Sequence, residues 1–168
     1  CLWRRRWRLL GLAPIAAGFV TMAFVRPPDI IVDETGKSFT ARDPTGIYVL
    51  KSKEKPSFRT ETWLRRVGQE RFGEWSADSP ARDAWLSCDS LGCLYRQNGR
   101  TAAIVSDPRS LAEDCAVASL VVSVEPVRRA QCRGPMIIDR FALWRGGAHG
   151  IWLLPEGPRV ETVAGYQG

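Results

Sequence analysis

The sequence predicts an α/β chain, with α+β as the alternative, richer in strand than in helix and led by one N-terminal transmembrane helix. Three observations predict it. Residues 7–25, WRLLGLAPIAAGFVTMAFV, form an apolar run whose single charge, Arg8, sits at its edge. Short β-branched or alternating runs recur through the rest of the chain, bounded by Gly, Pro, Asn and Asp. Helical signals there are few and brief. With 168 residues, 45% hydrophobic and 25% charged, the chain can bury one core of ordinary size, and disorder is not the default.

At 1.5 Å per residue the apolar run covers roughly 28 Å, close to the hydrocarbon thickness of a bilayer. Gly11, Pro14 and Gly18 suit a membrane helix better than a buried soluble one, and Trp3 and Trp7 suit the interfacial belt. The run ends in Val25-Arg26-Pro27-Pro28, not in a small-x-small cleavage site, so the expectation is a retained span. The prolines stop the helix. Arg4, Arg5, Arg6 and Arg8 precede it, whereas Arg26, Lys37 and Arg42 are spread thinly after it. Positive charge stays inside, which places residues 29–168, as a separate domain, on the extracytoplasmic side of an inner (plasma) membrane, with residues 1–28 as basic flank and anchor. Because the chain begins with Cys1, a fragment of a longer protein is expected; a lipidated cysteine would duplicate the anchor. The net charge of +6 falls to +2 once the N-terminal arginines are set aside, so charge alone does not indicate a strong polyanion-binding domain.

In order, Asp29–Val32, Ser38–Arg42 and Ile47–Leu50 read as a three-stranded meander, with turns at Glu34–Lys37 and Asp43-Pro44-Thr45-Gly46. Ser57 is placed to cap a short helix ending near Val67, and Gly68–Arg82 has no period and reads as a loop. Asn98-Gly99 between Leu94–Arg96 and Thr101–Val105 is a strong hairpin signal, since both residues accept positive φ. Asp107-Pro108 opens a helix expected to end near Ala116. Ser119–Val124 is a buried strand by composition, Met136–Ile138 leads toward a short helix at 139–145, and Gly150–Leu154 pairs with Arg159–Val163 around Pro155–Pro158.

Cys88 and Cys93 enclose CDSLGC, and Cys115 and Cys132 lie further on. A zinc site would pair cysteines at short spacing twice, and redox chemistry favours Cys-x-x-Cys at a helix start; neither is present. In an oxidising compartment the simplest of three connectivities is Cys88 with Cys93 and Cys115 with Cys132.

Three clusters then carry a resemblance: RPPD closing the apolar helix, CDSLGC, and IDRFALWRGGAH after the strand ASLVVSV. In this order they resemble the C-terminal end of ComEC-type competence proteins, polytopic channels for transforming DNA whose last membrane helix is followed by a metallo-β-lactamase-like domain. The resemblance implies a membrane-anchored terminal module in DNA uptake, with the bilayer, the rest of the channel and single-stranded DNA as partners. It also implies a degenerate domain. Where catalytic versions carry a histidine-rich turn after the ASLVVSV-like strand, this chain has Val124-Glu125-Pro126, and it holds one histidine, His149. Asp107 survives but reads as a helix cap. No catalytic residue, metal ligand or cofactor is therefore expected, with a metal-dependent hydrolase or nuclease acting on DNA, or a disulfide-bonded envelope protein, as alternatives.

His149 in GGAHG reads as a partly exposed turn residue, Asp33-Glu34 and Glu113-Asp114 as turn or cap charges, and Asp139 as a cap or a surface partner of Arg140. Arg128, Arg129 and Arg133, with Trp144 and Arg145 downstream, are the candidate nucleic-acid contacts, because single strands favour stacking plus phosphate contacts. The plainer reading of the three loop arginines is a solvated loop beside Cys132. No phosphate-binding glycine motif, nucleophile elbow or internal repeat occurs.

Overall fold

Ten strands and four α-helices form among the residues that the computed structural model describes, 11–22, 24–52, 58–73 and 85–164. Helix α1 (Leu12–Met22) leads through Phe24–Pro28 into an antiparallel meander of β1 (Ile30–Val32), β2 (Ser38–Arg42) and β3 (Tyr48–Ser52). Aspartates make both turns: Asp33 accepts from the Thr35 hydroxyl, and Asp43 Oδ1 accepts from the Thr45 amide and hydroxyl and from the Ile47 amide. α1 is shorter than the expected span. Among the described residues no helix is long and apolar enough to cross a membrane, and residues 7–10 and 23 of that span lie outside them.

Helix α2 (Phe58–Arg66) follows; its expected cap, Ser57, and positions 74–82 of the expected loop lie outside the described residues. The rest of that loop is ordered by pairing. Gln69 accepts from the Tyr48 amide at 2.9 Å and donates to the Tyr48 carbonyl at 3.0 Å, and Gly73 bridges Val49, so the segment covers the free edge of β3.

β4 (Leu86–Cys88), β5 (Gly92–Gln97) and β6 (Arg100–Val105) form two successive hairpins. β4 is unannounced in the sequence because three residues cannot show an alternation. Asn98 and Gly99 take φ of 53° and 71°, as an Asn-Gly hairpin requires. The helix expected from Pro108 is split: Pro108–Ser110 is a 3-10 turn, capped by Asp107 accepting from the Arg109 amide at 2.9 Å, and only Leu111–Val117 is α-helical (α3). β7 (Leu120–Ser123) then pairs parallel to β6, and β8 (Met136–Ile138) pairs parallel to β7. Asp139 caps α4 (Arg140–Gly146) through the Ala142 amide at 3.0 Å. β9 (His149–Leu154) and β10 (Gly157–Thr162) close the chain in a tighter hairpin than expected, with Leu154 opposite Gly157 and Pro158 inside β10. Pro158 is tolerated because β10 is an edge strand.

The strands build two five-stranded sheets, ordered β10-β9-β1-β2-β3 and β4-β5-β6-β7-β8. The class is mixed α/β with more strand than helix. Inner faces of both sheets share one core, in which Ile30, Val32, Phe39, Ile151 and Leu153 meet Tyr95, Ile104, Leu120 and Val122, and Leu143 of α4 closes one end. A second cluster on the outer face of the β4–β8 sheet joins Val105 and Val121 to Leu111 and the Cys115–Cys132 bridge.

The registers give the molecule two poles. At one, β1 emerges from the foot of α1, and the turns at 43–47, 98–99 and 155–156 gather around it. Cross-sheet bonds tie this pole together: Tyr95 donates to the Arg42 carbonyl at 2.9 Å, Asn98 to Leu153 at 2.6 Å and Arg100 Nη2 to Pro155 at 2.7 Å. At the other pole lie the turns at 33–37 and 89–92 and the carboxyl ends of β6, β7 and β8.

Candidate functional site

Parallel strands end in chain reversals whose backbone is free to meet a ligand, so a crevice beyond their carboxyl ends is the first place to look. Such a crevice exists here. A cleft of about 1010 Å³ opens at the pole away from α1, walled by Glu34–Lys37 from the β1–β2 turn, Ser106 after β6, Val124–Pro126 after β7, and Arg140, Phe141 and Trp144 of α4.

Each wall has a local cause. Gly36, at φ 72°, leaves room for the helix: a Cβ there would stand 2.9 Å from Leu143 Cδ1 and 3.1 Å from Val124 Cγ1. In a seven-residue helix, Leu143 alone is fully buried, and Phe141 and Trp144, three positions apart, fall on the outward side. Trp144 is 78% exposed and Phe141 54%. Ser106 and Asp107 are held from the opposite side, where their amides donate to the Leu91 carbonyl at 2.8 and 2.9 Å. Leu91 belongs to CDSLGC. That segment is a hairpin turn in which Asp89 Oδ1 accepts from the Leu91 and Gly92 amides, and Cys88 and Cys93, directly opposite in register, are joined by a disulfide. Cys115 and Cys132 form the second bridge.

The cleft is thus lined by two cations, Lys37 and Arg140, two carboxylates, Glu34 and Glu125, two hydroxyls, Thr35 and Ser106, and two exposed rings. These groups can stack on a planar ligand and contact its anionic backbone.

The donor set does not fit a metal. Among the described residues no three His, Cys, Asp or Glu side chains converge, and the four cysteines from 88 to 132 are consumed in bridges. Asp107 accepts from Arg109 Nε at 3.1 Å and from its Nη2 at 2.8 Å. His149 is not the partly exposed turn residue expected from GGAHG. It opens β9, is 3% exposed, and its Nδ1 lies 2.8 Å from the Gly147 carbonyl. Burial lowers its pKa, and the Gly147 bond opposes that in part.

No family model, curated protein or solved structure matches this chain.

The five sequence-derived contact candidates are not one patch. Trp144 lines the cleft, with Arg145 exposed beside it on α4. Arg128 and Arg129 are exposed two and three residues beyond Pro126, on the crossover from β7 to β8. Arg133 precedes β8 and therefore lies toward the α1 pole. Their proximity in sequence hides a crossover that runs the length of the sheet. Lys37, Arg140 and Phe141 were missed. The signal for the last two was a seven-residue helix carrying more large rings than one buried stripe can use.

Proposed function

We propose that this chain is the membrane-anchored terminal module of a competence-type DNA-uptake protein, a non-catalytic guide for DNA at the cleft. The observation that carries the reading is the exposed Phe141 and Trp144 face, flanked by Arg140 and Lys37, at the pole opposite α1. Single strands bind by base stacking on aromatic rings with phosphate contacts from cations, and this face supplies both. The anchor is α1 with its apolar flank: Leu12, Ile15, Phe19 and Val20 all point to the exterior of the fold. Two disulfides favour the extracytoplasmic side. The degenerate metallo-β-lactamase-like character belongs to the same proposal and rests on the order of RPPD, CDSLGC and IDRFALWRGGAH. The bilayer and the remainder of a polytopic channel are the partners it implies.

The test is fluorescence anisotropy of a labelled oligothymidylate of roughly twenty nucleotides against the full chain. Binding should weaken steeply with salt, and Phe141→Ala with Trp144→Ala should weaken it by about tenfold or more. Absent or unchanged binding overturns the guide. Cleavage of the oligonucleotide that requires added zinc or manganese would instead favour the hydrolase reading.

A further inference from the structure

The pole that surrounds the foot of α1 has a composition of its own. Phe24 and Val25 are exposed, and Arg26 follows. The Trp152 indole donates to the Arg26 carbonyl at 2.9 Å, Arg159 stands 5.6 Å over the Trp152 ring, and Gly150 lies beside that ring and Pro28. Around them the same pole exposes Ile47, Val117 and Met136, the last two on a shallow groove of about 570 Å³ that Arg100 and Pro158 also line. Arg96 and Arg133 are exposed at this end as well. Among the described residues its acids include Asp29, which is buried, Asp43, held by its own turn, Glu161, paired with Arg159, Glu156 at the hairpin tip, and exposed Glu70 beside Gln69.

We propose that this pole is a seat for the bilayer surface, with Arg96 and Arg133 meeting anionic headgroups while Trp152, Val117 and Met136 rest at the interface. The inference rests on the anchored reading above. An indole and arginines next to an apolar helix make an interfacial belt, because an aromatic ring tolerates the boundary and a guanidinium reaches phosphate while its stem stays apolar. Charge complementarity favours headgroups over a second protein surface, since the cations come from separate elements of this pole, Arg96 from β5 and Arg133 from the segment before β8, and are not focused in one pocket.

Hydrogen exchange of the full chain in nanodiscs tests it, comparing neutral discs with discs carrying about a third anionic phosphatidylglycerol. Amides at 43–47, 133–136 and 155–159 should exchange about threefold or more slowly in the anionic discs, while 34–37 and 124–126 keep their rates. Raising salt should remove the difference, and so should Arg96→Glu with Arg133→Glu. A chain that does not enter discs overturns the anchored reading and this inference with it. Entry without slowing at this pole overturns the seat alone. Equal slowing in neutral and anionic discs, or slowing that survives salt, points to packing against apolar surface or another chain and overturns headgroup recognition.

Discussion

Burial sets the protonation of His149 and ties it to stability. The imidazole is enclosed at the start of β9, and a Cβ on Gly146 would stand 2.7 Å from its Cε1. Its pKa is lowered from 6.5, first by desolvation. The unfolded chain therefore takes up a proton as pH falls below about 6.5 while the folded chain resists it, so the stability linked to His149 is complete above that pH and lost below it. Urea midpoints should drop between pH 7.5 and about 5, and His149→Gln should flatten that drop. An unchanged slope in the variant would assign the pH dependence to other groups. GGAHG reads as a turn because glycines usually supply unusual backbone angles. Gly147 does so at φ 70°, but Gly146 is there for space, to let a ring pack against the backbone, and a single sequence does not distinguish these two uses.

Among the elements, the CDSLGC hairpin does more than close a loop. Gly92 lies so near β6 that a Cβ would be 2.5 Å from the Ile104 carbonyl oxygen, and Leu91 carries the amides of Ser106 and Asp107 at the cleft wall. Loop entropy gives the Cys88–Cys93 bridge about 2 kcal/mol and Cys115–Cys132 about 3 kcal/mol. Replacing both cysteines of the second pair by serine should thus cost more global stability. Replacing the first pair should cost less but accelerate amide exchange at Ser106 and Asp107; equal exchange in the two variants would separate the hairpin from the cleft. Local turn chemistry made most elements legible: Asp33, Asp43, Asn98-Gly99, Asp107 and Asp139 each announce a reversal or cap within a few residues. What stayed hidden depends on distant partners. β9 inserts beside β1 across nearly the whole chain, β7 and β8 align parallel through crossovers, and the cleft exists only once those strand ends are gathered.

Across the whole molecule, α1 is joined to the sandwich by a fixed linkage, not a loose one. Asp29, 0% exposed, accepts from the Leu153 amide at 2.9 Å and lies 3.5 and 3.6 Å from the guanidinium groups of Arg26 and Arg42, while Tyr48 donates to the Pro28 carbonyl. Burial, opposed by Arg42, raises the Tyr48 hydroxyl to about 12, so it remains a donor at physiological pH. Asp29→Ala should cost about 3–5 kcal/mol by leaving arginines and an amide without their acceptor. Asp29→Asn should cost about 1–2 kcal/mol, since the amide oxygen still serves Leu153. Equal losses in chemical denaturation would mean that the charge, not the acceptor, holds the linkage. RPPD marks the end of the apolar run, although α1 ends earlier at Met22, and it does not announce that its residues are bonded into the domain, because their partners lie more than a hundred positions away in β9. In the proposed reading the sandwich would also serve as a standoff. β6 alone, six residues from Arg100 to Val105, separates the poles by roughly 20 Å, more than two screening lengths of about 8 Å at physiological salt. Under the proposed anchored, DNA-guiding reading, the repulsion that a negatively charged bilayer exerts on phosphates would decay to about a tenth over that height, and a strand would approach the aromatic rim without working against the membrane.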